Sequence, residues 1–453
     1  MKAMQAYRFA LDPTASQERS IRSHAGAARF AYNWALARVK AVMDQRAAEC
    51  SYGLAEEQLT PPQGWSLPAL RKAWNVEKNV VAPWWPQVSK EAFNTGIDGL
   101  ARGLKNWSDS RNGKRAGRKV GFPRFKTRHR TNPSIRFTTG AIRVEPDRTH
   151  VTLPRLGRLK VHESARKLAR RLEAGTARIM SATVRREGGR WFVSFTVEVE
   201  RSVPTAAEHP ESVSGVDVGI KHLAVLSTGE LIPNPKHLDT AQARLRALGR
   251  ALSRRQGPDR RTGQRPSKRW QRASGRLSRA HARVANLRRD GLHKLTTKLA
   301  REHGTIVVED LNVAGMLRNK RLARHVADAG FGELRRQLAY KTTWSGGRLH
   351  VADRWYPSSK TCSACGAVKT KLSLRERTYH CTICGLVLDR DMNAARNLAT
   401  LVARPEPAGS GPAAGRGAIQ ETPLAGREAV KRQPGSARVG QSGTALPQGR
   451  AAA

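Results

Sequence analysis

Hydrophobic and polar positions along the chain change period several times, and each change marks an element. Residues 4–11, MQAYRFAL, mix apolar and polar positions and predict a first strand. Asp12-Pro13-Thr14 reads as a turn into a helix. Thr14 and Gln17 have the spacing of a capping box, in which side chains satisfy free backbone N–H groups. Ile21, Ala25, Ala28, Ala31, Tyr32 and Ala35 then recur at helical spacing, with Phe30 and Trp34 adding bulk. A loop-like stretch over about 51–66 holds Pro61-Pro62 and Gly64. Helices near 67–80 and 88–107 follow, separated by Pro83-Trp84-Trp85-Pro86. Aromatics beside basic residues can stack on bases, but the tryptophans here are read first as core.

After a basic, glycine-punctuated segment at 111–130 the period becomes strand-like. Short runs at 134–137, 141–144, 150–153 and 158–161 are broken by turn residues, and a basic helical piece lies near 164–173. Residues 177–187 and 190–200 form a hairpin around Gly188-Gly189, with Trp191, Val193, Phe195, Val197 and Val199 alternating. Strands and turns at this density predict a small barrel. A linker over 204–210 leads to VSGVDVGIKHLAVLST at 213–228, an apolar strand carrying Asp217 that turns at Gly219 and returns. The chain is then mainly helical from 238 to 300, with a break near 257–266. Leu277, Val284, Leu287, Leu292, Leu295 and Leu299 lie near one face of the second half. TIVVED at 305–310 is a strand ending in two acids; a helix over 326–344 and a strand over 349–354 follow.

Between Pro357 and Leu398 the pattern is set by cysteine. Cys362/Cys365 and Cys381/Cys384 are two Cys-x-x-Cys pairs, each followed by a glycine. Four thiolates close a tetrahedral structural zinc site, and Gly366 and Gly385 permit the turn that aims both sulfurs of a pair at one point. His380 adjoins the set but is not needed in it. Cys50, the fifth cysteine, is expected to be a buried or inert thiol, consistent with a reducing compartment.

Composition changes the picture chiefly through charge. The 453 residues allow two or three domains, and 39% hydrophobic residues with 39 glycines suffice for a core. Against 36 Asp+Glu stand 82 Lys+Arg, a net charge of +46 spread over nearly the whole chain. That field suits extended contact with nucleic acid better than a tail on a membrane surface. No run approaches the roughly 18 apolar residues of a membrane span, and the N-terminus lacks a signal-like apolar stretch. The expectation is a cytoplasmic, nucleoid-associated protein. Past Val402 the composition shifts to Ala, Gly, Pro, Gln and Arg without aromatics, and 403–453 is read as a disordered tail.

Three carboxylate sites remain: Asp217 within an apolar run, Glu309 at a strand end, and the Asp389/Asp391 pair before a helix. A buried carboxylate is costly without a cation or donor, so this pattern fits a metal site as well as it fits scattered structural acids. Hard oxygen ligands suit magnesium or manganese, and a pair of such ions supports phosphodiester cleavage. Successive strand residues face opposite ways, so only one of Glu309 and Asp310 can share a face with Asp217.

GVDVGIKHLAVLSTG, RLSRAHARVANLRRDGLHKL, IVVEDLNVAGM and the ribbon leading into DRDMNAARNL together resemble the transposon-encoded TnpB (OrfB) family, as do the N-terminal YRFALDPTASQERSIRSHAGAARFAYNWAL and GFPRFK. The resemblance covers roughly residues 4–400. It implies an α+β multidomain protein: an N-terminal β-barrel with a helical insertion (1–203), an RNase H-like (RuvC) nuclease domain (204–356), an inserted zinc ribbon (357–388) and a last nuclease helix (389–402). It implies an RNA-guided DNA endonuclease, a guide RNA derived from the transposon end, double-stranded target DNA, and a monomeric protein in a ribonucleoprotein. Carried over by position, the catalytic, magnesium-binding residues are Asp217, Glu309 and Asp391, with Asp389 as the alternative to Asp391 or as a helix cap. A transposase acting on its own element's ends, or a nuclease-inactive DNA-binding regulator, are the competing functions. The tail after Val402 departs from the family pattern.

Overall fold

The computed structural model describes residues 1–128, 131–259, 261–373 and 375–403. The tail expected over 403–453 lies, from residue 404 on, outside them. The chain opens with β1 (Lys2–Leu11) and then α1 (Ala15–Ser51), whose start carries the Thr14–Gln17 capping box. Helices α2 (Leu67–Val81) and α3 (Lys90–Arg111) follow. Strands β2 (Ser134–Phe137), β3 (Arg143–Val144), β4 (His150–Leu153) and β5 (Gly157–Lys160), helix α4 (Arg166–Glu173), and strands β6 (Ala177–Glu187) and β7 (Arg190–Glu200) complete this part.

These strands make two antiparallel sheets, β1-β7-β6-β2 and β3-β4-β5, joined by a bridge between Leu11 and Val161. The hairpin turns at Gly188 and Gly189, both at positive φ, where a side chain would be strained. Trp191, Val193, Phe195, Val197 and Val199 are buried, so the alternation in β7 does mark an inward face. That face shares one core with α1, α2 and α3, the helices between β1 and β2. There Trp74 stacks on Phe93 with centroids 4.8 Å apart, and Trp84 meets both Phe30 and Phe93. The tryptophans near the proline spacer therefore do core work.

The second part is built on a sheet of order β10-β9-β8-β11-β12. Its elements are β8 (Val213–Asp217), β9 (His222–Leu226), β10 (Leu231–Pro233), α5 (His237–Ser253), α6 (Lys268–Glu302), β11 (Thr305–Glu309), α7 (Val313–Met316), α8 (Ala323–Ala329), α9 (Phe331–Trp344) and β12 (Arg348–Ala352). β8, β11 and β12 run parallel; β9 and β10 are antiparallel additions. One sheet face, with Val216, Ile306 and Val308, packs on Leu292, Leu295 and Leu299 of α6 and Leu334 and Leu338 of α9. A two-stranded ribbon, β13 (Thr378–His380) with β14 (Val387–Asp389), then runs straight into α10 (Arg390–Ala403), which covers the other face.

Three details differ from the sequence reading. Leu287 is 42% exposed while Leu292, Leu295 and Leu299 are buried, because only the C-terminal half of the α6 stripe reaches the sheet. The helix expected over 326–344 is broken at Gly330, whose φ of 74° ends α8 and starts α9. Cys50 is exposed rather than buried, since it lies in the last turn of α1 beyond the core. No helix among the described residues is long and apolar enough to cross a membrane.

Candidate active site and metal centre

Asp217 closes β8 and Glu309 closes the neighbouring parallel strand β11. The ladder pairs Val216 with Val308, so Asp217 and Glu309 are the next residues in register, at the carboxyl edge and on one face. Neighbouring strands are about 4.8 Å apart, which brings the two carboxylates side by side. β8 is also where the sheet changes from parallel to antiparallel pairing.

The third acid arrives on α10. Gly215, two residues before Asp217, lets that helix lie directly on the strand: a Cβ there would stand 2.0 Å from the Ala395 carbonyl oxygen. Val225, paired with Asp217 across β9, packs on Met392 and Ala395. Asp391 sits one turn before Ala395, in the first turn of α10. Asp389 has a different task, because its Oδ1 accepts from the Asp391 and Met392 amides at 2.9 and 3.2 Å and so caps the helix.

Asp310 points away from this face. Arg335 of α9 and Arg354 both donate to its carboxylate, and these cations hold it below its usual range although burial works the other way. Asp217 has no such relief. Burial raises its carboxyl well above the usual range, and Glu309, Asp391 and Asp389 raise it further against a smaller opposing effect of Arg390. Among the described residues no side chain donates to Asp217 or Asp391. Acceptors that are crowded and unpartnered in this way suit a cation. The three carboxylates are nevertheless not gathered as tightly as the cysteines, which are the metal-compatible cluster among the described residues.

The four Sγ atoms lie within 4.8 Å of one another, with Cys362–Cys384 and Cys365–Cys381 at 3.6 Å. Tetrahedral Zn–S bonds of about 2.3 Å place sulfurs about 3.8 Å apart, so the set fits zinc. Gly366 and Gly385 adopt φ of 78° and 72°, and their amides return to the Cys362 and Cys381 carbonyls. His380 is exposed and stays outside the cluster.

Residues that the sequence reading did not single out tie the ribbon to the acids. Buried Ser358 donates to Glu309 Oε1. Asn397 donates to the carbonyls of Ser358 and Thr361 at 2.7 and 2.6 Å, and Asn393 donates to Thr361 at 2.6 Å while accepting from the Ser363 amide. The available signal was two asparagines four residues apart on an otherwise apolar helix face, which demands buried partners.

Three family models match the chain: "Probable transposase" over residues 194–320, "Cas12f1-like, TNB domain" over 331–398, and "Helix-turn-helix domain" over 1–47. The last of these spans β1 and most of the single helix α1. A Mycobacterium tuberculosis protein named "Putative RNA-guided DNA endonuclease Rv2885c" is 42% identical over 94% of each chain. A Streptomyces pristinaespiralis protein with the same general name is 38% identical over 70% of this chain and 74% of its own. InsQ of Escherichia coli K12, also so named, is 31% identical over 88% and 92%. A solved Cas12f1–sgRNA–target DNA complex covers 88% of this chain and 99% of its own at 12% identity and a TM-score of 0.44. With relatives of this identity along nearly its whole length, the chain belongs to the transposon-encoded TnpB (OrfB) family.

Proposed function

We propose that the protein is an RNA-guided DNA endonuclease that cuts by metal-dependent phosphodiester hydrolysis at Asp217, Glu309 and Asp391. The observation that carries this reading is the register of Asp217 and Glu309 at the ends of two parallel strands, beneath the helix start that bears Asp391. In this reading the mixed sheet is the RNase H-like (RuvC) core. The two antiparallel sheets are the N-terminal barrel, with α1 to α3 as its helical insertion, and 357–388 is a zinc ribbon.

Among the described residues no side chain donates to Asp217 or Asp391, and Ser358 holds Glu309 Oε1 while no donor meets Oε2. Divalent ions bound there, magnesium or manganese, would supply an activated water and stabilise the leaving oxygen. Asp389 fixes the helix that presents Asp391, and the arginine pairs keep Asp310 turned away. The large positive charge serves a guide RNA from the transposon end and double-stranded target DNA, with base pairing reading the target. The working particle is one protein chain with its RNA, acting in the cytoplasm at the nucleoid.

A second reading, a transposase acting on its element's ends, is favoured by the match to the "Probable transposase" family. Purification from cells carrying the native flanking DNA, followed by sequencing of nuclease-protected RNA, separates the two. One abundant RNA ending at the element boundary supports guided cutting and supplies the guide for a cleavage assay. Binding to the element's DNA ends without such an RNA supports the transposase.

A further inference from the structure

We propose that Trp355 is a base-stacking platform that seats a nucleotide beside the scissile bond. The inference rests on the reading of Asp217, Glu309 and Asp391 as the cutting site. Trp355 is 85% exposed, an unusual outlay of aromatic surface to water. It follows β12, whose last residue Ala352 pairs with Glu309, so the indole lies just beyond the edge that carries the acids.

The residues around it are pinned. Its own amide donates to Asp353 Oδ1 at 2.8 Å, and the Tyr356 amide closes a turn on the Asp353 carbonyl at 3.1 Å. Arg354 before it is bonded to Asp310. Tyr356 after it donates to the Asn397 carbonyl of α10 at 3.1 Å and packs near Leu398. Ser358, two residues further, holds Glu309. The main chain that carries Trp355 is therefore fixed beyond the acid-bearing edge, while the side chain itself stands exposed. A cavity of about 370 Å³ lined by Glu309, Arg335, Arg354 and Phe331 opens beside Arg354.

A phosphodiester presented to the three carboxylates brings a base on each side of it. Every base has a flat π-face, so an exposed indole can grip one without reading sequence, as a guided nuclease requires. The net charge of +46 favours nucleic acid as the partner.

The test uses the full-length chain with the RNA it retains, and a DNA oligonucleotide complementary to that RNA whose cut position has been mapped. Trp355→Ala should slow cutting about tenfold, a typical loss for one stacked base, while RNA retention and melting temperature stay unchanged. Trp355→Phe should restore most of the rate. An abasic site at one nucleotide flanking the cut should slow the unaltered protein about tenfold and Trp355→Ala no further. Equal rates for Trp355→Ala and the unaltered protein overturn the inference. So do losses from Trp355→Ala and from an abasic site at either flanking nucleotide that simply multiply. If the unaltered protein makes no metal-dependent cut, the reading of the acids falls and takes the inference with it.

Discussion

The Ser358 hydroxyl donates to the Glu309 carboxylate across 49 residues of sequence. Ser358 is itself held by Asn397 of α10, so the glutamate on β11 is oriented from the root of the ribbon and from the last helix at once. Ser358→Ala should raise the metal concentration needed for half-maximal cutting about tenfold, because a hydrogen bond to a charged group contributes about 1.5–3 kcal/mol. Ser358→Thr should keep most of the affinity. Cutting rates across a manganese titration, with calorimetric manganese binding alongside, give the answer; superimposable curves for Ala and Ser would remove the serine from the site.

Asp217→Asn should abolish cutting and leave RNA retention intact. It should also stabilise the protein in chelator, on the order of 1 kcal/mol, since it removes a half-buried carboxylate crowded by like charges. Melting in EDTA is the measurement. A lower melting temperature for the variant would mean that Asp217 has a structural partner.

Gly215→Val should cost cutting by another route. Its side chain would drive into the Ala395 carbonyl and Ala399 amide, lifting α10 off β8. The ribbon does not touch Gly215, so zinc content should stay unchanged while activity and melting temperature fall. A variant that loses zinc as well would show the helix and ribbon to be one cooperative unit.

Cys381→Ser should lower bound zinc from about one per chain and loosen the ribbon, because Cys381 and Tyr379 form its small core. β14 flows into α10 without a linker, so cutting should fall with it. Elemental analysis and cleavage on the same preparation test this; full cutting by zinc-free protein would detach the ribbon from the site.

His24 is buried between two backbone groups, donating from Nδ1 to the Ser20 carbonyl at 2.8 Å and accepting at Nε2 from the Ser89 amide at 3.0 Å. Burial, with the nearby Arg155, holds its pKa below the usual histidine value. The neutral ring therefore contributes stability that is present above about pH 6.5 and is lost as pH falls through the lowered pKa. Melting temperature should drop on acidification, and by less in His24→Gln. Parallel acid profiles for the two proteins would contradict the assignment.

Much of the fold was legible because local patterns and tertiary contacts agree. The alternation from Trp191 to Val199 is the buried face of β7, and the two Cys-x-x-Cys turns close on one point. Strand parity allowed only one of Glu309 and Asp310 to share a face with Asp217, and Asp310 is the one that Arg335 and Arg354 meet. What stayed hidden depends on contacts between distant segments. Nothing local distinguishes Leu287, which overhangs the sheet, from Leu292, which meets it. The same holds for Ser358: a serine in a proline-serine run looks like loop until Glu309 is seen to lie against it.

The order in which the acids occur along the chain has a consequence for synthesis. A ribosome that has released Asp217 and Glu309 has still made no complete site, because Asp391 and the helix resting on Gly215 come last. A premature stop or frameshift before Asp391 therefore leaves the N-terminal sheets and their helices encoded without the means to cut. On the reading proposed above, the nascent protein is harmless to the chromosome until its final described helix has emerged, and a decayed gene copy yields an RNA-binding fragment before it yields a rogue nuclease.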